Sequence, residues 1–440
     1  MAATLPDYRT DDPAIRCLPR DELRGLQDER LRAVVAYARE TSGFWRRRLA
    51  DAGEVHGVAD LDRLSLTTRA ELGAEQAEHP PFGDYTCSPR ETWMGIFTTS
   101  GTSGRKLKRV VSWRDWRLMI GLLHRNPAPP RGEIFMLLGP IDGLLGPTVG
   151  VEAARLRGSI PVLAGMWDTR TKVQAIAEMR PGVIAGAASY IVHLSEVAAE
   201  MGVDLSACGL RAVTSFGEPG AAIEATHATI RQRFGVEQIV DGYGLTEVWP
   251  LGGNCPQSRA LHIPEDVVAV ECIDPESGEP VAEGQPGEIV LTTLVGDSHP
   301  LLRYRTRDVG RLVVSEPCAC GSTFARIERI EGRTDDMIWY RGANFFPSAV
   351  EDIVRRQEGL SPEYRIVLDD GPRGLPVVTI QVEGDTRLRA RVRESLRGGL
   401  GVNPELEMLA PGTLPRAEQG KAKRVLDRRA GAATHAGGAR

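Results

Sequence analysis

The stretch Ser159–Gly186, SIPVLAGMWDTRTKVQAIAEMRPGVIAG, decides the fold class. SIPVLAG is a short apolar run that reads as a strand. TKVQAIAEM carries apolar residues at helical spacing, and PGVIAG is a second buried strand opened by Pro-Gly. Two strands with a helix between them can lie parallel when the helix crosses over the sheet. The pattern continues on both sides. Upstream, Ile134–Leu138 is strand-like and VEAARLRG helical. Downstream, ASYIVHLSEVAAEMG reads as helix, LRAVTSF as strand and AAIEATHATIRQRFG as helix. This alternation predicts a mostly parallel sheet covered by helices. Sheets of that kind bind ligands in crevices beyond the strand ends, where Gly-rich turns sit.

The texture changes near Ala269. VVAVECID, GEIVLTTL and LLRYRTRDVGRLVV read as strands, the first two separated by the turn-rich PESGEPVAEGQPG. After EGRTDD come another strand, a helix around Ala349–Arg356, the strands YRIVLDD and PVVTIQVEG, and a helix over Thr386–Leu396. The expected fold is thus α/β and α+β. A large domain over 1–332 would hold helix-covered sheets and a β-rich segment, and a small mobile α+β domain would cover 333–440. The boundary is drawn at Gly332–Asp335. The first ninety residues are charged; Leu23, Leu26, Leu31 and Val34 are spaced for a helix, and Ser65–Thr68 precedes a short helix near Arg69. The tail ATHAGGAR is expected to be mobile.

With 440 residues the chain can bury a large core, and its 42% apolar and 26% charged content is that of an ordinary globular protein. A net charge of -5 gives no electrostatic case for nucleic-acid binding. No apolar run reaches the length of a membrane span, and MAATLPDYRTDD lacks a secretory pattern, so a cytoplasmic location is expected. Eight histidines and seven cysteines are too few and scattered for a disulfide framework.

Phe97–Arg109, FTTSGTSGRKLKR, concentrates hydroxyls, glycines and positive charge. Gly101 and Gly104 permit tight turns. Backbone amides with Ser100, Thr102 and Ser103 can donate to an anion, and Arg105, Lys106, Lys108 and Arg109 can neutralise it. The run departs from the common loop GxxxxGK[ST]. A polar surface loop is the alternative reading.

Further runs follow in order: SFGEPG at Ser215–Gly220, YGLTEVWP at Tyr243–Pro250, YRTRDVGRL at Tyr304–Leu312, GRTDDMIWYRGANFFPSAVE at Gly332–Glu351, and EQGKAKRVLDRR at Glu418–Arg429. Together with the opening loop they resemble the adenylate-forming enzymes, in the phenylacetate–coenzyme A ligase-like branch. The resemblance runs from about Phe97 to the C-terminus. It implies an acid–thiol ligase in two steps. A carboxylate attacks the α-phosphorus of ATP, giving an acyl-adenylate and pyrophosphate; the thiol of coenzyme A then displaces AMP.

By that resemblance, Thr98, Thr99, Ser100, Gly101, Thr102, Ser103, Gly104 and Arg105 form the phosphate loop. Arg105-Lys106 stands where many relatives have Lys-Pro, which keeps charge and removes a restraint. Glu218 and Pro219 lie near adenine, and Asp241, Tyr243 and Gly244 line adenine and the acyl substrate. Thr246 touches the α-phosphate, and Glu247 helps bind Mg²⁺, a cation that prefers oxygen ligands. Asp308 accepts from both ribose hydroxyls. Arg333 is a nucleotide contact. Arg305 and Arg307 either approach phosphate or form salt bridges. Asp335 falls at the hinge between the half-reactions. Lys421 of GKAKR is the catalytic lysine, with Lys423 its competitor; its charge would stabilise the attacked phosphate.

Cys318-Ala-Cys320 before Gly321 suggests a knuckle, and Cys255 with His262 could complete a structural Cys3His zinc site. The branch includes members with such a cluster. Cys272 is a substitute ligand that its strand pattern would rather bury. Ile141, Leu144, Leu145, Tyr190, Phe216, Tyr243 and Trp249 could surround a planar ring. Asp142 departs from the apolar family pattern and could face an amino or hydroxyl substituent. An amino- or hydroxy-substituted benzoate fits these residues better than a fatty acid. Transfer to a carrier-protein phosphopantetheine or an amine, and a non-catalytic nucleotide-binding role, are the alternatives. A homodimer stays open.

Overall fold

The computed structural model describes residues 5–99, 106–126, 130–341, 343–371, 376–416 and 422–429. The expected C-terminal tail, Ser100–Arg105 of the loop, and Lys421 lie outside these residues.

The N-terminal region is helical as its apolar spacing predicts. Helix α1 (Arg20–Thr41) buries Leu23, Leu31 and Val34, and α2 (Gly43–Arg48) buries Phe44 and Trp45. Helix α3 (Arg69–Glu78) starts at a capping box: Thr68 Oγ1 accepts from the Glu71 amide while Glu71 accepts from the Thr68 amide. A hairpin follows, β1 (Trp93–Thr98) and β2 (Lys108–Ser112), pairing Phe97 with Arg109 and Thr98 with Lys108. The Ser/Thr/Gly run thus connects two hydrogen-bonded strands. Helix α4 (Trp113–His124) packs beside them.

Next comes the alternating region: β3 (Ile134–Leu137), α5 (Leu145–Leu156), β4 (Ile160–Leu163), α6 (Thr169–Met179), β5 (Val183–Gly186), α7 (Ala188–Glu200), β6 (Ala212–Phe216), α8 (Glu224–Phe234) and β7 (Gln238–Gly244). Its strands are parallel, in the order β4-β3-β5-β6-β7. The antiparallel half consists of β8 (Pro250–Cys255), β9 (Ser258–His262), β10 (Val268–Ile273), β11 (Pro286–Thr293), β12 (Tyr304–Val313) and β13 (Arg326–Arg333).

Both textures belong to one 11-stranded sheet, ordered β10-β11-β12-β13-β9-β8-β7-β6-β5-β3-β4. The join is β7 with β8, where Gly242 faces Gly253 and the direction reverses. One core packs the N-terminal helices onto the antiparallel half, through Leu31, Val34, Trp45, Leu261, Ile289 and Leu291. A second packs α6, α7 and α8 onto the parallel half, through Val173, Ile176, Ile191, Val213 and Ile230.

The small C-terminal domain has its own core. It holds the hairpin β14 (Ile338–Tyr340) and β15 (Ala343–Phe345), helix α9 (Pro347–Arg355), β16 (Leu360–Asp370), β17 (Pro376–Gly384), α10 (Arg389–Leu400), β18 (Glu405–Leu409) and β19 (Val425–Asp427). Its four-stranded sheet runs β18-β17-β16-β19. Val350 and Val354 of α9 and Val392 and Leu396 of α10 pack with Ile366 and Ile380 from the sheet. No helix among the described residues is long and apolar enough to cross a membrane.

Candidate active site

The strand β7 ends in a tight turn that carries Thr246 and Glu247. The Leu245 amide closes it on the Trp249 carbonyl at 3.1 Å. A side chain at Gly244 would put its Cβ 2.6 Å from that same carbonyl oxygen, so the close approach requires glycine. Two arginines hold the turn. From the core side, Arg109 donates through Nη1 to the Thr246 carbonyl at 3.0 Å and to the Glu247 carbonyl. From the other side, Arg69 Nη1 meets Glu247 Oε1 at 2.5 Å and its Nη2 donates to Thr99 Oγ1 at 2.8 Å.

Arg109 corrects one expectation. Sequence groups it with Arg105, Lys106 and Lys108 as charge for phosphate. Its side chain is instead sealed behind the turn at 2% exposure and spent on backbone carbonyls. Burial lowers its pKa to about 10, which still leaves it cationic at neutral pH. Thr98 and Thr99 sit at the base of the loop. The Thr98 amide donates to the Gly143 carbonyl at 2.9 Å, and Thr99 Oγ1 accepts from the Leu107 amide at 3.1 Å.

Asp308, on β12, faces Arg333 on β13 in register; Arg333 Nη1 approaches its carboxylate at 3.7 Å. The Tyr243 hydroxyl donates to Asp308 Oδ2 at 2.8 Å. Burial, and then the Asp308 charge, hold that phenol well above its usual pKa, so it stays a donor. Of the two readings of Arg305 and Arg307, the structure shows salt bridges. Arg305 pairs with the buried Glu288 and Arg307 with Asp335 at 3.4 Å. Asp335 also accepts from Arg333 Nε at 3.1 Å. The large sheet ends at Arg333, and Thr334–Asp336 make a single 3-10 turn before the small domain.

At the ends of β6 and β7 the site turns acidic. Glu218 Oε1 accepts from the Ser189 amide at the start of α7, at 2.6 Å. Pro219 and Gly220 press against that helix; a Cβ on Gly220 would lie 2.3 Å from Ala188 Cβ. Asp241 is buried, with Oδ1 lacking a hydrogen-bond partner among the described residues. Burial raises its pKa to about 7, helped by the neighbouring Glu218. The small domain reaches this same edge. The amide of Ala422, the residue after Lys421, donates to Ser189 Oγ at 3.4 Å. Arg355 and Glu351 of α9 meet Thr226 Oγ1 of α8.

The apolar residues read as an acyl pocket divide. Ile141 and Phe216 pack together with Leu137, Val151 and Ala185 at the strand ends. Leu145 and Trp249 are buried in the main core, with Tyr243 packed against it. Tyr190 lies in the second core, its hydroxyl accepting from Lys172 Nζ at 3.0 Å. Leu144 is half-buried before α5, and Asp142 is exposed in the turn after β3.

The knuckle residues do come together. The ligand atoms of Cys255, His262, Cys318 and Cys320 all lie within 4.8 Å of one another. Cys255 Sγ and Cys318 Sγ are 3.7 Å apart. A tetrahedral zinc with Zn–S bonds of about 2.3 Å would set sulfurs about 3.8 Å apart. His262 Nε2 is buried with no partner among the described residues. Burial, reinforced by Arg326 and Arg16, lowers its pKa to about 4, leaving a neutral imidazole. Cys272 lies apart, buried on β10 with its thiol toward the Gly310 carbonyl at 3.7 Å.

A two-domain α/β chain with a Thr-Glu turn at the end of β7, an Asp–Arg pair across the sheet and Ala422 of the small domain seated on Ser189 has the architecture of a nucleotide-dependent activating enzyme. Residues 18–293 match the model of the AMP-binding enzyme family, and 342–429 that of the AMP-binding enzyme C-terminal domain. The chain belongs to this adenylate-forming family and, within it, is related to the phenylacetate–coenzyme A ligase-like members; it is an AMP-forming acid–thiol ligase. A phenylacetate-coenzyme A ligase of Thermus thermophilus is 34% identical, over 95% of this chain and 99% of that protein. Among solved structures, 2-hydroxyisobutyryl-CoA ligase in the postadenylation state, in complex with R3-HIB-AMP, superposes with TM-score 0.85 at 27% identity, covering 97% of this chain and 94% of that one. The same ligase in its thioesterification state, with 2-HIB-AMP and CoA, gives a TM-score of 0.70 at 27% identity, covering 98% and 95%.

Proposed function

We propose that the chain activates a small aromatic carboxylic acid, such as an amino- or hydroxy-substituted benzoate, and passes it to coenzyme A. The carboxylate attacks the α-phosphorus of ATP, releasing pyrophosphate; the thiol then displaces AMP. The observation that carries this reading is the seating of Ala422 on Ser189 beside Glu218. Ala422, which follows Lys421 on the separate small domain, thus supports a reading in which the lysine works at the strand ends. Lys421 is assigned to the attacked phosphate, Thr246 to the α-phosphate and Ser100–Arg105 to the departing pyrophosphate. Asp308 holds the ribose, with Arg333 beside it. Asp241, whose buried Oδ1 lacks a partner, suits the exocyclic amine of adenine.

Glu247 is the oxygen donor suited to magnesium, since its carboxylate already faces a cation, Arg69. When bound, magnesium would neutralise and orient phosphate oxygens. The Cys3His cluster fits a closed structural zinc, supported by its sulfur spacing and the orphan His262 nitrogen. The domain boundary is placed at the Thr334–Asp336 turn, with Asp335 as hinge. Its ties to Arg333 and Arg307 would break as the small domain swings.

The aromatic assignment rests on the phenylacetate ligase similarity and on the Ile141–Phe216 packing at the strand ends. Asp142, exposed in its turn, is assigned to a ring substituent. ATP–pyrophosphate exchange tests this across phenylacetate, benzoate, amino- and hydroxybenzoates, 2-hydroxyisobutyrate and a long-chain fatty acid. Aromatic acids should give the highest kcat/KM. Preference for the aliphatic acids would overturn the assignment.

A further inference from the structure

The sequence gives Arg69 no role beyond the start of a helix, yet its guanidinium forks between two parts of the candidate site. One terminal nitrogen meets Glu247 Oε1 at 2.5 Å and the other donates to Thr99 Oγ1 at 2.8 Å. The pair is well shielded, with 29% of the Arg69 side chain and 11% of the Glu247 side chain exposed. Such a fork fixes direction as well as charge.

Each end of the fork already has a fixed backbone. Arg109 holds the carbonyls of Thr246 and Glu247, so the main chain of the turn cannot drift. Thr99 is tied to Leu107 by its amide, which donates to the Leu107 carbonyl at 3.1 Å, and by its hydroxyl, which accepts the Leu107 amide. That closes the base of the Ser100–Arg105 segment. What remains undetermined is the aim of the Glu247 carboxylate and its register with the loop. Arg69 supplies the tie to Thr99 and, with the buried Tyr304 hydroxyl that also reaches the Glu247 carboxylate, its aim.

The base of Arg69 is stitched down too. Thr67 is fully buried; its amide donates to the Arg303 carbonyl at 2.8 Å, its hydroxyl to the Leu302 carbonyl at 2.7 Å, and its carbonyl accepts from the Arg305 amide at 2.9 Å. Thr68 caps α3, which places Arg69 as the first helical residue. The arginine thus extends from a backbone locked to the large sheet.

We propose that Arg69 is a positioning residue for adenylation. It aims the Glu247 carboxylate and ties it to Thr99 at the end of β1, so that the carboxylate meets the triphosphate in one fixed direction. This rests on the reading of Glu247 and the loop given above.

The test uses the full-length enzyme with Arg69→Met, Arg69→Lys and Glu247→Gln, each checked for an unchanged melting transition. Four quantities are measured: kcat and KM for ATP–pyrophosphate exchange, the magnesium concentration for half-maximal rate, and AMP affinity by calorimetry without magnesium. A misaimed group costs about 100-fold in rate. Arg69→Met should lose about that in kcat and raise the magnesium requirement, as Glu247→Gln does, while AMP binding stays unchanged. Arg69→Lys, which keeps the charge without the fork, should recover part of kcat. An Arg69→Met enzyme with wild-type kcat and magnesium dependence overturns the proposal, as does a parallel loss of AMP binding, which would mark a merely structural role. If Arg69→Met does not fold, Arg69→Lys decides: wild-type behaviour overturns the proposal, and reduced kcat with intact AMP binding supports it. If Glu247→Gln itself leaves the magnesium dependence unchanged, the reading of Glu247 fails separately.

Discussion

The nucleotide crevice and the cysteine knuckle are assembled on opposite principles. In the crevice nearly every charge is already answered from within: Glu247 by Arg69, Asp308 by Arg333 and Tyr243, Glu218 by the Ser189 amide. In the knuckle the donors are neutral or thiol groups crowded together, and His262 Nε2 has no hydrogen-bond partner among the described residues. A site that binds and releases a charged substrate each turnover needs internal partners to stand in when it is empty. A site built around a permanent ion can leave its donors unsatisfied until the ion arrives, because the ion is part of the fold.

That contrast can be broken most severely at the lysine. Lys421→Ala should lower the ATP–pyrophosphate exchange rate by about 1,000-fold, whereas Lys423→Ala should stay near wild type. Reversed behaviour would move the motif register by two residues. A smaller effect is expected at the ribose. Asp308→Asn keeps the shape and removes the charge, so KM for ATP should rise about 10- to 100-fold with a lesser change in kcat. Equal loss in both would place Asp308 in the chemistry instead.

The knuckle should respond in stability and not in chemistry. Cys318→Ser should reduce bound zinc, measured by atomic emission, and lower the melting temperature. The residual folded enzyme should keep its kcat. A full complement of zinc in this variant, or none in the wild type, would remove the metal from the account.

The smallest effect concerns pH. Burial raises Asp241 from 3.8 to about 7. Within that window the folded state keeps a proton that the unfolded state has released. Its contribution to stability is therefore complete below 3.8, declines as pH rises, and is gone above about 7. Asp241→Asn should flatten this part of the pH dependence in urea unfolding; an unchanged profile would show that Asp241 is ionised throughout.

Four strands of the parallel half, β3 to β6, are legible as short apolar runs bounded by glycine or proline, and their helices show their spacing locally; β7, QIVDGYG, is polar enough to escape that pattern. The fusion of the parallel half with the antiparallel half is not legible. That depends on Ile327 facing Leu261 and Arg326 facing His262, pairings set by tertiary packing. The site divides the same way. Glu247, Asp308 and the knuckle cysteines stand in recognisable runs. Arg69 reads as an ordinary first-turn arginine, and its partner Glu247 lies 178 residues away. Arg109 was misassigned because a strand residue beside a basic loop looks exposed in sequence, while register alone turns it inward. Tyr190 and Trp249 are buried in the two cores, and aromatic residues near strand ends serve core and ligand equally well, so sequence alone does not separate the two roles.

The most direct test of the central claim is mass analysis of the enzyme incubated with ATP, magnesium and phenylacetate, first without and then with coenzyme A. An enzyme-bound phenylacetyl-adenylate with pyrophosphate is expected in the first mixture, and its conversion to the thioester with AMP in the second. Formation of ADP with an acyl phosphate, or activation of 2-hydroxyisobutyrate while aromatic acids stay inert, would contradict the claim.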